Sequence, residues 1–384
     1  MLPILLFIGV TFLAFANGAN DNFKGVATLY GSKRLSYRQA LAWATITTLA
    51  GSVAALFLGS YLLATFSGKG IVPQELVGQI GFVLPVAVAA ATTVLLATRL
   101  GFPISTTHAL IGGLIGSGLV LAGTDVSFAA IGKKAVLPLV ASPLIAALLT
   151  WLFYGGMRRL RQRLGITKKE ILCVQSSLVR AAPQQSEVGI PYNARISPAP
   201  IGEATTLSVT EATRSCSLEA TRSCSLEGCV VGVEAQTLLD AAHILSAGAL
   251  GFARGLNDTP KIMALLLVGS FLGLEVATLW IAVAMAVGGL LASRRVAHTI
   301  SHEITTMNEG QGFSANFISA LLVLFASKFG MPVSTTHVSV GALFGLGAAT
   351  GNARKEAIFS ILMAWLITLP VAGVIAAAVA YLLL

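Results

Sequence analysis

Apolar residues in this chain come in long runs, and the runs fall into two matched sets. In the first half they cover about 2–30, 39–64, 79–98, 104–122 and 135–155; in the second, about 237–270, 274–292, 313–327, 333–350 and 356–384. Many approach the ~20 residues that a helix needs to cross a bilayer, which predicts an all-α polytopic membrane protein. Between the sets, 157–235 is polar and rich in Ser, Thr, Glu and Arg. It carries a tandem repeat, Glu211–Leu218 followed by the same string at Glu219–Leu226. Such low complexity predicts a flexible cytoplasmic loop, not an enzyme domain. The organisation expected is therefore a transmembrane repeat over 1–156, the loop over 157–235, and a second transmembrane repeat over 236–384.

Polar strings interrupt the runs at corresponding places. Phe15-Ala16-Asn17-Gly18-Ala19-Asn20-Asp21 returns as Phe252-Ala253-Arg254-Gly255-Leu256-Asn257-Asp258, and Pro103-Ile104-Ser105-Thr106-Thr107-His108 as Pro332-Val333-Ser334-Thr335-Thr336-His337. Two motifs, each placed twice in the same order, are what an internally duplicated transporter leaves in its sequence.

Proline cannot continue a preceding helix, and Ser105 and Ser334 are suited to cap the helices that follow. Such helix starts sit at the positive end of the dipole and attract anions without a formal charge. The hydroxyls of Ser105, Thr106, Thr107, Ser334, Thr335 and Thr336 are thus candidates to hold a small oxyanion. The bland alternative is an ordinary capped helix at the membrane surface, which matched duplication disfavours. Asp21 and Asp258 lie inside apolar runs, where an unpaired carboxylate costs several kcal/mol. Gly18, Gly25, Gly255 and Pro260 nearby predict a break in the helix of each half. Carboxylates with the amides of Asn20 and Asn257 and loosened carbonyls form an oxygen donor set for a hard cation. An oxyanion beside two carboxylates requires neutralising cations, so cation and anion should bind together, which is symport.

Charge refines the topology. Only 11% of residues are charged, well below the roughly 25% of soluble domains. Much of the net +9 lies at Arg158, Arg159, Arg161, Arg163, Lys168 and Lys169, right after an apolar run, which is a positive-inside signal and not a nucleic-acid footprint. Making each Ser-Thr-Thr motif the tip of a re-entrant hairpin leaves an odd number of crossings per half. The halves are then inverted repeats, and Lys33, Arg34, Arg38, the 158–169 run, Arg294, Arg295, Arg354 and Lys355 fall in the cytoplasm. Both termini lie outside, and Lys133 and Lys134 alone break the rule. Leu5–Ala16 imitates a signal peptide but lacks a charged leader, so it is read as a membrane helix.

Cys173, Cys216, Cys224 and Cys229 fit no zinc spacing and read as free thiols. Arg99 and Lys328 precede the two prolines as expected snorkelling anchors, with substrate pairing as the alternative. His108 and His337 follow the hydroxyls as structural or orienting groups. Gln311, Ser314 and Asn316 form a polar stripe without a counterpart at 82–89. His298, His302 and Glu303 offer a rival metal or hydrolase reading, the latter with Ser334 and His337, but they lack a third ligand, an HExxH order and a counterpart in the first half.

The paired Gly-x-Asn-Asp strings (Gly18–Asp21 and Gly255–Asp258) and the paired Pro-x-Ser-Thr-Thr-His strings resemble the inorganic phosphate transporter family, the cation-coupled phosphate permeases. The resemblance covers both membrane halves and the central loop. It implies an inverted-repeat fold with hairpins and phosphate import across a cell membrane by sodium or proton symport, without an organic cofactor or enzymatic activity. It places phosphate at Ser105, Thr106, Thr107, Ser334, Thr335, Thr336, Asn20 and Asn257. Sodium would take Asp21, Asp258, Asn20, Asn257, Ser105 and Ser334. Some members carry membrane glutamates where Thr48 and Asn316 align here, which tilts the expectation from protons toward sodium. Selection of phosphate over sulfate rests on the resemblance, and a homo-oligomer is compatible with the small-residue stretch 112–118.

Overall fold

The computed structural model describes residues 1–59, 62–63, 66, 70–165, 171–175, 229–269 and 272–384. Each apolar run is built around one long helix, and the first, 2–30, adds a short second one after a turn. The first half holds α1 (Leu2–Asp21), the short α2 (Ala27–Gly31), α3 (Tyr37–Leu58), α4 (Ile80–Leu100), α5 (Thr106–Ala122) and α6 (Leu137–Arg163). The second half holds α7 (Ala235–Leu266), α8 (Leu274–Ala292), α9 (Glu309–Lys328), α10 (Thr335–Thr350) and α11 (Lys355–Leu383). Among the described residues, eight helices are long and apolar enough to cross a membrane. The protein is a multi-pass membrane protein with a nearly all-helical fold.

By contact density the chain divides into two units, Met1–Leu160 with Leu239–Leu384, and Arg161–Leu238. In the second unit, β1 (Ile171–Gln175) and β2 (Cys229–Glu234) pair antiparallel, with Cys173 opposite Gly232. This ribbon lies within the polar segment 157–235 that the sequence marks as a loop. Clustered β-branched residues, as in Cys229-Val230-Val231-Gly232-Val233, suit a strand even in a low-complexity context. The tandem repeat at 211–226, Cys216 and Cys224 lie outside the described residues.

In the first unit the two halves exchange partners. α1 packs on α4 of its own half and on α8 of the other, and α5 packs on α4 and on α11. The crossings are backbone-close: a Cβ on Gly18 would lie 1.8 Å from the carbonyl oxygen of Met285, and one on Gly255 would lie 2.1 Å from that of Thr48. These two glycines hold the same place in the two copies of the motif. In a bilayer, where water does not drive helices together, such small-residue crossings supply the packing.

α5, continued by a turn to Asp125, counts among the eight, whereas α10 has 16 residues and is only about 24 Å long, short of a ~30 Å hydrocarbon core. The expected helix breaks divide. α1 ends at Asp21 and the chain turns through 22–26. α7, by contrast, runs unbroken through Gly255, Asp258 and Pro260, which corrects the break expected there. Proline removes a single ladder bond. Tertiary bonds from Asn257 and Asp258 before it and Lys261 after it hold both segments in line.

Candidate functional site

Both hairpin turns follow one plan. α4 closes on left-handed Gly101 (φ +83), and the Phe102 N–H donates back to Ala97 O at 2.9 Å. α9 closes around Gly330 (φ +65), with Met331 N–H donating to Ala326 O at 2.9 Å. After each proline a serine caps the next helix: Ser105 Oγ accepts the His108 N–H at 3.1 Å, and Ser334 Oγ accepts that of His337 at 3.2 Å. The serine oxygens thus serve their own helices, and the second threonine of each string, Thr107 and Thr336, reaches across.

The two helix starts meet. Thr336 Oγ1 donates to Ile104 O at 2.7 Å, and Thr107 Oγ1 donates to Val333 O at 3.5 Å. The rings of His108 and His337 stand edge to face, 4.4 Å between centroids. Sequence reasoning expected these motifs to converge, and they do.

α1 and α7 bring in the Asn-Asp motifs. Asn17 Nδ2 donates to Asp21 Oδ2 at 3.1 Å, to Thr106 Oγ1 at 3.0 Å and to Asp258 Oδ2 at 3.4 Å. Thr106 Oγ1 donates to Asp21 Oδ2 at 3.3 Å, and Thr335 Oγ1 to Asp258 Oδ2 at 3.5 Å. Asn20 braces the first turn from both sides of Pro103. Its Nδ2 donates to Phe102 O (3.0 Å) and Thr98 Oγ1 (2.9 Å), while its Oδ1 accepts from Ile104 N–H (3.1 Å). Asn257 has the corresponding place, donating to Val333 O at 3.3 Å and accepting from Ser327 Oγ at 3.2 Å.

Three buried cations complete the cluster. Lys24 Nζ donates to the Asp21 carboxylate, the Thr336 hydroxyl, Asn20 Oδ1 at 3.0 Å and Ile104 O at 2.9 Å. Lys261 Nζ donates to Asp258 Oδ1 at 3.2 Å, Thr107 Oγ1 at 3.0 Å and Val333 O at 2.8 Å. Each lysine joins its own half's aspartate and hairpin carbonyl to a threonine of the other half. Arg254, only 1% exposed, donates to Asn17 Oδ1 at 2.7 Å, Asn22 Oδ1 at 3.2 Å and Thr48 Oγ1 at 3.3 Å, with its Nε 3.7 Å from Asp258 Oδ2.

Sequence reasoning did not single out these lysines. The signal was present, since the duplicated string extends three residues past its aspartate, to Asn20-Asp21-x-x-Lys24 and Asn257-Asp258-x-x-Lys261. Arg254 has no such signal, because its counterpart in the first copy is Asn17.

Other candidates lie apart. Arg99 and Lys328 are exposed, as anchors would be. Asn316 Nδ2 donates to Thr28 Oγ1 at 2.7 Å, which also lies 2.9 Å from His243 Nε2, a separate buried cluster. Gln311 donates to Tyr154 and Ser314 to its own helix, so the expected stripe does not act as one unit. His298 pairs with Glu303 at 3.1 Å on the surface, and no three metal-ligating side chains cluster among the described residues.

Residues 17–376 match the model of the phosphate transporter family. A putative phosphate permease of Pyrococcus horikoshii is 27% identical over 98% of this chain and 97% of its own length. The chloroplastic inorganic phosphate transporter 2-1 of Arabidopsis thaliana is 28% identical over 95% of this chain and 69% of its own length. Among solved structures, one named as the sodium-dependent phosphate transporter shares the fold, with a TM-score of 0.71 and 22% identity, covering 100% of this chain and 98% of that one. These relatives are transporters and permeases, not enzymes, and their shared work is phosphate transport. With the family model matched over nearly the whole chain, the protein belongs to the phosphate transporter family.

Proposed function

We propose that the protein is a secondary transporter that imports inorganic phosphate with a coupling cation, through a site built half from each repeat. The observation that carries this reading is the meeting of two hydroxyl-bearing helix starts, at α5 and α10, inside a buried cluster of three cations. Phosphate takes the place of the direct contacts between halves, Thr107 to Val333 O and Thr336 to Ile104 O. Its oxygens then accept from Thr106, Thr107, Thr335 and Thr336, at helix ends that favour an anion. Lys24, Lys261 and Arg254 supply the opposing charge, and Asn20 and Asn257 hold the hairpin turns in place.

The repeats are inverted relative to each other: the exchanged contacts of the paired glycines, threonines and lysines support a two-fold relation between them, and the odd number of crossings per half supports its inversion. One repeat rocks against the other and exposes the site to each face in turn. The protein resides in the cell membrane with its central loop in the cytoplasm and both ends outside. Sodium is the coupling ion that the oxygen donors suggest from sequence, and the structurally similar transporter is itself named as sodium-dependent, but those donors here are held by Lys24 and Lys261. Protons are the second reading, favoured by the ammonium groups already seated on Asp21 and Asp258.

Radiolabelled phosphate uptake into proteoliposomes, under imposed sodium or proton gradients and with sulfate as competitor, tests the proposal. Concentrative uptake that follows one gradient, and that sulfate does not displace, is expected. Uptake indifferent to both gradients sinks symport, and equal displacement by sulfate sinks phosphate selectivity.

A further inference from the structure

Resting on the phosphate reading, we infer that Lys24 and Lys261 are tethered counter-cations that fill the two positions where a coupling metal ion would sit, and that phosphate uptake does not require sodium. The hydrogen-bond acceptors of both ammoniums are all oxygens: carboxylate, carbonyl and hydroxyl, with the Asn20 amide oxygen added at Lys24, and the Phe66 ring also faces Lys261 Nζ, 5.7 Å from its centroid. The oxygens are the donor set of a hard monovalent ion. It occurs twice, with the partners exchanged between halves, so neither lysine is an isolated accident of packing.

Before phosphate binds, the carbonyls leave no acceptor to spare, and once it has taken Thr107 and Thr336, Val333 O still holds Lys261 and Asn257 and Ile104 O still holds Lys24. A carbonyl oxygen has two lone pairs. Ile104 O accepts from Lys24 and Thr336, and Val333 O accepts from Lys261, Asn257 and Thr107. Charge points the same way. Two carboxylates, Asp21 and Asp258, face three cations, Lys24, Lys261 and Arg254, so the cluster carries one net positive charge. A single dihydrogen phosphate balances it. A sodium ion added as well would leave an uncompensated charge in a buried region, a penalty that a site this closed does not tolerate. Remove one lysine and its aspartate is left bare in an oxygen cage with room for an ion.

The test uses the purified full-length protein, in detergent for thermal unfolding and in proteoliposomes for phosphate uptake, with sodium chloride exchanged for equimolar choline chloride. For the wild type, neither the unfolding midpoint nor uptake changes with the exchange. In Lys24→Ala and Lys261→Ala, sodium raises the midpoint selectively and stimulates uptake about tenfold, the effect of 1.4 kcal/mol at the site. Lys24→Met, which fills the space with an apolar chain, responds to neither salt. Wild-type uptake that collapses in choline overturns the lysine assignment and leaves phosphate transport standing. Alanine variants whose midpoints ignore sodium overturn it too, making the lysines substrate ligands or struts. Absence of phosphate uptake in either salt, with a sodium-indifferent wild-type midpoint and sodium-stabilised variants, sinks the phosphate reading and keeps the lysine assignment. If neither variant folds, the two wild-type measurements decide.

Discussion

Asn20 and Asn257 occupy the same place in the two motifs, yet they carry different burdens. Asn20 satisfies Phe102 O and Ile104 N–H, two backbone groups freed by the turn around Pro103. Asn257 serves Val333 O, which Lys261 and Thr107 also serve. A buried polar group left without a partner costs about 1–3 kcal/mol. Asn20→Ala should therefore destabilise by about 2–4 kcal/mol and Asn257→Ala by about 1, read as unfolding midpoints in detergent; equal losses would show that Asn20 does not brace the turn. At this scale the sequence was legible wherever a residue type was duplicated and chemically conspicuous, as with Ser105, Asp21 and their partners. It was less legible for Lys24 and Lys261, because a lysine in an apolar chain ordinarily snorkels to the interface. Only the three-dimensional cage shows that these two point inward.

Helix ends were easier to foresee than helix continuity. Pro103 and Pro332, each after a glycine turn and before a capping serine, mark two turns between helices, and both turns formed where expected. Pro260 looked like a third breaker, but side-chain bonds on both sides of it outweigh the one ladder bond it removes. Glycine meaning also depends on neighbours that the sequence does not display. Gly18 and Gly156 both lie in helices; a Cβ on the first would strike Met285 O at 1.8 Å, whereas nothing lies within 4 Å of one on the second. Gly18→Ala should force α1 and α8 apart and abolish the monodisperse folded protein in size-exclusion chromatography. Gly156→Ala should stabilise by up to about 1 kcal/mol through helix propensity alone. A well-folded Gly18→Ala would mean that this crossing is slack.

At the scale of the whole molecule, the positive-inside scheme makes a spatial demand that charge counting could not check. Segments assigned to one side must meet at one end of the helical unit. They do meet there: Arg34 pairs with Asp240 at 3.0 Å, Tyr37 reaches Ser293 at 3.2 Å beside Arg294, Tyr30 stands edge to face on His302, Tyr154 accepts from Gln311, and Arg354 N–H donates to Ile304 O. Arg34, Arg294 and Arg354 therefore share an end that the contacts fix independently. Inversion of the repeats follows only if that end faces one compartment and both chain termini face the other. With Cys173, Cys216, Cys224 and Cys229 changed to serine, single cysteines at Arg38, Arg158 and Arg354, all exposed, should resist a membrane-impermeant maleimide in intact cells and react after lysis. Cysteines at Lys133 and Leu384 should react in intact cells. If Arg38→Cys and Arg158→Cys label from opposite sides, the crossing number between them is odd, and neither the hairpin assignment nor the inverted pairing of the two half-sites can hold.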